Sequence, residues 1–307
     1  MTYSYMPLLR GRQFDLLALQ TVLSTKPTHL WPLIEPVKDS STLVKTLRLW
    51  LQQKQPIGLI LNASVSDYAL LGHKQHPIPP KILADPNLWQ FAFFDSSFSK
   101  DYFTKTTHCG LICHHYRYFV QHLAQLSTLA IDCLIIPNEA RFLVLAQQLP
   151  YPVIPLSDPF QREDDLPAYQ THLDELFTWQ HALGQLVPKA IGFSDYSIMG
   201  RYYSEYGKPQ TTQGLQLIYP DASGALRIHH FISFDDGKMG HQKEKFLDLL
   251  QQLRHFVAQQ PQNNWLTPAL KQLLYLHELD KNPGFGTVKK LLLTHHFELL
   301  DQILSSY

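Results

Sequence analysis

The chain has 307 residues, 45% hydrophobic and 12% aromatic, which is ample for a sizeable core and excludes disorder over most of its length. Lys plus Arg and Asp plus Glu number 26 each, so no global field favours nucleic acid or an anionic membrane, and direct nucleic-acid binding is not indicated. Three cysteines, Cys109, Cys113 and Cys133, fit neither a disulfide framework nor a CxxC zinc site and read as small hydrophobes. With no apolar run of bilayer length and no basic-then-apolar leader, a cytoplasmic protein is expected.

Eight short apolar runs follow one another along the first two thirds: YMPLLR (5–10), LWPLIE (30–35), IGLILN (57–62), WQFAFFD (89–95), GLICHH (110–115), IDCLIIPN (131–138), PVIPLSD (152–158) and AIGFSD (190–195). Near-continuous apolar strands belong to sheets covered on both faces, which are parallel with crossover helices. Helical stripes are predicted between them at 14–23, 40–53 (opening on serine caps), 118–126, 139–149 and 169–186. The segment 71–86 is proline-rich and reads as a loop with at most one short helix.

Eight such units predict an α/β fold of (β/α)8 TIM-like barrel type, with an open doubly wound sheet as the competitor. Pro7, Pro32 and Pro155 inside the runs suggest strands that begin at those prolines. After residue 214 the style changes. Two apolar runs around Asp221-Ala-Ser-Gly predict a β-hairpin, and helices are expected at 243–259, 267–281 and 287–304. The organisation expected is a barrel over 1–260, including a hairpin at 214–234, and a C-terminal helical extension over 261–307 packed on it.

In a parallel sheet the polar residues closing each run face one end. That ring is Arg10, Glu35, Asn62, Asp95, His114 or His115, Asn138, Asp158 and Asp195. Carboxylate oxygens select hard cations, so Glu35, Asp158 and Asp195 are candidate ligands for magnesium or manganese, and Glu35, Asp195 and His114 candidate catalytic groups. Arg10 and Arg12 suit a phosphate or carboxylate, whose two oxygens match the guanidinium fork. Asn62, and Tyr196 and Arg201 in the tyrosine-rich GFSDYSIMGRYYSEYG, are further candidates for substrate binding.

Structural alternatives stand beside each. Asn138 suits a helix N-cap, Asp95, Asp158 and Asn62 suit caps or turns, and Glu35 suits a salt bridge to Arg10. The pairs His229-His230 and His295-His296 match no zinc spacing and read as structural histidines. GFGTVKK (284–290) opens a helix and is a weak phosphate-cradle signal, while a nucleotide-cofactor motif is not found.

The opening YMPLLRGRQFDLLAL, then LIEPVK, GFSDYSIMG, HHFIS and GTVKKLLLTHHFELL, resembles, in order and spacing, uncharacterised bacterial proteins related to the phage and mobile-element "beta protein" family, over residues 3–304. The resemblance carries over no catalytic residue. It implies a phage-conflict or mobile-element context and a restriction-nuclease-like protein encoded nearby as partner. Two functions are therefore expected in parallel: a metal-assisted phosphoester hydrolase at the barrel mouth, or a non-catalytic partner or sensor. Glycerophosphodiesterase chemistry is not assigned, because LLRG and LIEP lack that family's strand-end histidine and asparagine.

Overall fold

The computed structural model describes residues 3–66, 68, 77–103, 108–204, 210–261, 264–279 and 282–306. All eight apolar runs carry strands: β1 (Ser4–Tyr5) and β2 (Leu8–Leu9) in the first, then β3 (Leu33–Ile34), β4 (Ile57–Ile60), β5 (Leu88–Phe93), β6 (Cys109–Ile112), β7 (Cys133–Pro137) and β8 (Val153–Ser157). A ninth, β9 (Asp174–Thr178), precedes β10 (Gly192–Asp195), the last run. Pro7 and Pro32 immediately precede strands, as expected, whereas Pro155 lies within β8 opposite Ile136.

The main sheet is parallel, curled and nine-stranded, in the order β1-β10-β8-β7-β6-β5-β4-β3-β2. β1 and β2 are separated only by Met6-Pro7, yet β1 pairs with β10 while β2 pairs with β3. Strand residues are buried on both faces, with Leu33, Ile135 and Ile154 on the inner cluster and Leu111, Leu134 and Ile136 against the helices. Double burial explains why these runs show no polar alternation.

The helix Ser41–Gln52 shows how the sequence sets the outer layer. Ser40 caps it by accepting from Leu43 N at 3.3 Å, and Leu43, Leu47, Trp50 and Leu51 form its buried stripe. Its Trp50 indole donates to Leu19 O, tying it to the preceding helix Gln13–Val22. Helices also form at Tyr116–Gln121, Leu123–Leu126 and Ala140–Ala146, near their predicted positions. Pro80–Leu83 is the short helix of the proline-rich unit, whose residues 71–76 lie outside the described residues.

The helix expected over 169–186 is corrected. A 3₁₀ turn at Leu166–Thr171, strand β9 and a one-turn helix Gln180–Leu183 take its place. β9 joins the hairpin β11 (Gly214–Pro220) and β12 (Leu226–Ile232) in a separate antiparallel sheet ordered β11-β12-β9. Asp174 fixes it there by accepting from Arg227 Nε and from Tyr219 Oη at 2.7 Å. Asp221 Oδ1 organises the hairpin turn through Ser223 N, Ser223 Oγ and Ala225 N.

Helices Gln242–Gln259, Pro268–Glu278 and Phe285–Leu304 close the chain. The last is buried almost all round and shares one core with Leu16, Leu19, Leu217 and Ile218. Both histidine pairs are held structurally, as expected. His295 bonds Thr267 Oγ1 and Ile218 O, each at 2.8 Å, and Glu298 accepts Ala269 N, so this face grips the start of Pro268–Glu278. His229 and His230 point to opposite sides of β12, onto Asp174 and Glu175.

Candidate functional site

The C-terminal ends of the parallel strands surround a cavity of about 670 Å³. Arg10 after β2, Asp95 after β5, His114 and His115 after β6, and Asp158 after β8 line it. Tyr196 and Arg201, from the segment after β10, complete it. Seven of the residues singled out in the sequence therefore meet here, the strand-end residues Arg10, Asp95, His114, His115 and Asp158 together with Tyr196 and Arg201.

Glu35 stands behind this surface, with no exposure. Its Oε2 accepts from Arg10 Nη1, while its Oε1 accepts from Ser64 N at 2.8 Å and Ser64 Oγ at 2.9 Å. Three donors compensate the buried carboxylate, which without them would be costly. The carboxylate thus orients Arg10 instead of facing the cavity. Arg10 Nη2 donates to Arg201 O at 2.8 Å, and its guanidinium lies 5.4 Å from the Tyr196 ring centroid.

Gly11 makes this arrangement possible. Its φ of +58° is one that L side chains rarely adopt, and a Cβ there would stand 3.1 Å from Glu35 O. The turn sends Arg12 away from the mouth into a second cavity, where it donates to Ser204 O at 2.7 Å and lies over the Tyr203 ring. Loop 201–204 is consequently held by both arginines, and its Tyr202 and Tyr203 line both cavities.

The mouth is electrostatically polarised. Burial, reinforced by Arg201, His115 and Arg10, pushes His114 down to about 4, so its imidazole is neutral at pH 7. Burial raises the Asp158 carboxyl, against the lowering effects of the Arg201 backbone N–H and the Arg201 and Arg10 charges. Asp158 accepts Arg201 N at 3.2 Å. The Tyr196 phenol is pushed up to about 12 by burial, and donates or accepts as a neutral group.

The other sequence candidates serve the scaffold. Asn62 is a cross-strand clip: its amide donates to Phe93 O at 3.0 Å and its carbonyl accepts Phe93 N at 2.7 Å. Asn138 does not cap the following helix; Glu139 is the N-cap, and without a side-chain bond. Asp95 organises a turn by accepting Ser97 N and Ser97 Oγ.

Asp195 is buried beneath the mouth, where Tyr5 Oη donates to its Oδ1 at 2.6 Å and Ser197 N at 2.7 Å. Tyr5 Oη also lies 2.8 Å from His296 Nε2, so a buried chain Asp195–Tyr5–His296 ties β10 and β1 to the C-terminal helix. Burial raises Asp195 to about 6. The signal that sequence reasoning lacked for this chain was Tyr5, whose partner lies 190 residues away.

Among the described residues no set of three or more His, Cys, Asp or Glu is placed to hold an ion. The oxygens of Glu35 and Oδ1 of Asp195 are committed to protein donors. The described helices include none long and apolar enough to cross a membrane. Comparison with protein-family models, curated proteins and solved structures finds no match.

Proposed function

We propose that the eight runs form a closed (β/α)8 barrel, with β1 and β2 acting as one interrupted strand, and that its mouth binds and hydrolyses a phosphoester. Closure is supported by the pairing of one stretch, residues 4–9, with both β10 and β3. The chemistry rests on one observation: Arg10, Arg201, a neutral His114 and a carboxyl of raised proton affinity, Asp158, line a single cavity.

In this reading the substrate's oxyanion lies against Arg10 and Arg201, with Arg10 preset by Glu35. His114 is depressed first by burial and then by Arg201, His115 and Arg10; a bound anion screens the two guanidiniums, which raises its basicity, and it accepts the proton of the attacking water. The water oxygen bonds to phosphorus as the ester P–O bond breaks, and Asp158 delivers a proton to the leaving oxygen. No step of this reading is routed through the magnesium or manganese ion expected on Glu35, Asp158 and Asp195, since no group of three or more ligands is found among the described residues.

The test is release of p-nitrophenolate from bis-p-nitrophenyl phosphate, with and without EDTA. His114→Ala should lower kcat about 100-fold without lowering Tm, and Asp158→Asn should do the same on a dialkyl phosphate, whose leaving alkoxide needs the proton that p-nitrophenolate does not. Variants that match the unmutated chain would refute the mouth as the active site, and loss of activity in EDTA would refute the metal-free mechanism.

A second reading has its own support. Leu176 and Leu183 line a groove at Trp179 and Val187 on the edge made by β9, and Leu186, 78% exposed, immediately precedes Val187 in the chain. We propose this rim as the contact for the restriction-nuclease-like neighbour that the sequence resemblance implies, in a phage-conflict or mobile-element setting. Leu183→Asp and Leu186→Asp should abolish co-purification of that neighbour, and His114→Ala should not. Survival of the complex in both leucine variants would remove this reading.

A further inference from the structure

The second cavity, about 810 Å³, lies on the other side of the Tyr202-Tyr203 wall and is within the size range of small-molecule sites. Its walls come from the start of the helix Gln13–Val22, the segment after β8, β11 and the first turns of Phe285–Leu304. Four cations reach it, Arg12, Lys38, Arg162 and Lys289, beside three carboxylates, Asp15, Glu163 and Asp164; Arg12, Arg162 and Lys289 come from separate elements. Arg12 and Arg162 are each laid over an aromatic ring, Tyr203 at 4.6 Å and Tyr202 at 4.5 Å. Phe14, Phe160 and Phe285 supply further flat apolar surface.

Asp15 adds a specific demand. It is 2% exposed and lines the cavity; Oδ2 accepts Arg12 N, but Oδ1 has no partner among the described residues. An orphaned buried carboxylate oxygen is costly unless a donor meets it. A fatty-acid anion would use the cations and the apolar walls but leave Oδ1 unpaired. A free phosphate would leave the rings bare. A molecule with an anionic group, a flat ring and an N–H or O–H donor satisfies all three.

We propose that this cavity is a nucleoside phosphate site, with the phosphate on Arg12, Arg162 and Lys289, the base against the tyrosine and phenylalanine faces, and a ligand N–H or O–H donating to Asp15 Oδ1. GFGTVKK gains a role here through Phe285 and Lys289 and not through a phosphate cradle of its own amides. The site is separate from the phosphoester mouth, with which, among the described residues, it shares only Tyr202 and Tyr203.

Calorimetric titration of the full chain with AMP, GMP, CMP and UMP, beside inorganic phosphate and ribose 5-phosphate, tests it. One saturable site is expected for at least one nucleotide, weakened about tenfold by Asp15→Asn and by Arg162→Glu, as for loss of one charge-assisted hydrogen bond. Arg162 is exposed, so its variant keeps the core intact should Asp15→Asn fail to fold. The site is overturned if no nucleotide binds at millimolar concentration, or if phosphate and ribose 5-phosphate bind as tightly as the nucleotides. It is equally overturned if binding survives Arg162→Glu and falls in His114→Ala, which would put the nucleotide at the mouth.

Discussion

Acidification from pH 7.5 to 5.0 should destabilise the chain, and the share carried by two of its buried histidines can be isolated. His295 and His296 are buried in the last helix and pushed down to about 4 and about 3, in both cases mainly by burial. Because Tyr5 Oη donates to Asp195, His296 Nε2 carries the proton and donates to Tyr5; its Nδ1 has no partner among the described residues. Protonating Nδ1 would create a buried cation with nothing to accept from it.

Both folded pKa values lie below the unfolded value, so the unfolded chain takes up protons first and stability falls with pH below about 6.5. Each group costs about 1.4 kcal/mol per pH unit, hence about 2 kcal/mol by pH 5.0 and about 4 kcal/mol together. Asp195 acts oppositely. Raised to about 6, it binds a proton in the folded state first and returns about 1.4 kcal/mol between pH 6 and 5.

These three groups together contribute a loss of about 2.5 kcal/mol. His114 and His230, both pushed down to about 4 mainly by burial, add to it in the same direction, and the whole should appear in urea unfolding followed by tryptophan fluorescence. His296→Gln keeps an N–H for Tyr5 but does not titrate, so it should cut the pH-dependent part by about 2 kcal/mol. Comparing each protein with itself at two pH values cancels the fixed cost of the substitution. A variant with the same pH dependence as the unmutated chain would refute the argument.

Arg10→Ala should destabilise by about 3–5 kcal/mol in chemical unfolding, since it leaves the Glu35 carboxylate buried with only Ser64 as donor, and Glu35→Gln should cost less. Gly11→Ala, at φ +58° and against Glu35 O, should cost about 1–2 kcal/mol and also weaken anion binding at the mouth. Lys245 is wholly buried, and its ammonium donates to Thr211 O and Asp236 Oδ1, each at 2.6 Å. Lys245→Met should therefore raise amide hydrogen exchange over residues 234–241, and unchanged protection there would show that the amine does not hold the loop.

The eight strands were legible because burial on both faces writes itself into contiguous sequence. β9 was not, because Leu173, Leu176 and Phe177 fit a helical stripe as well as a strand. What decides between them is the free edge of β12 and the bonds Asp174 makes to Tyr219 and Arg227, all distant in sequence. The site divides in the same way. Five strand-end residues could be placed by topology alone, whereas the fate of Glu35 depended on Arg10 and Ser64 supplying its donors. Arg12 was grouped with Arg10 by adjacency, and one left-handed glycine separates them.

Loop 201–204 is gripped at its two ends through carbonyl oxygens, at Arg201 by Arg10 and at Ser204 by Arg12. The guanidinium at each end is also the one that an incoming anion would compete for. An occupant of either cavity thus draws on the restraint that shapes the common wall, and the two equilibria become linked. Thermodynamic reciprocity then requires that whatever factor a ligand in the larger cavity imposes on affinity at the mouth, a ligand at the mouth imposes in return. Two arginines flanking one glycine would be the whole of the wiring.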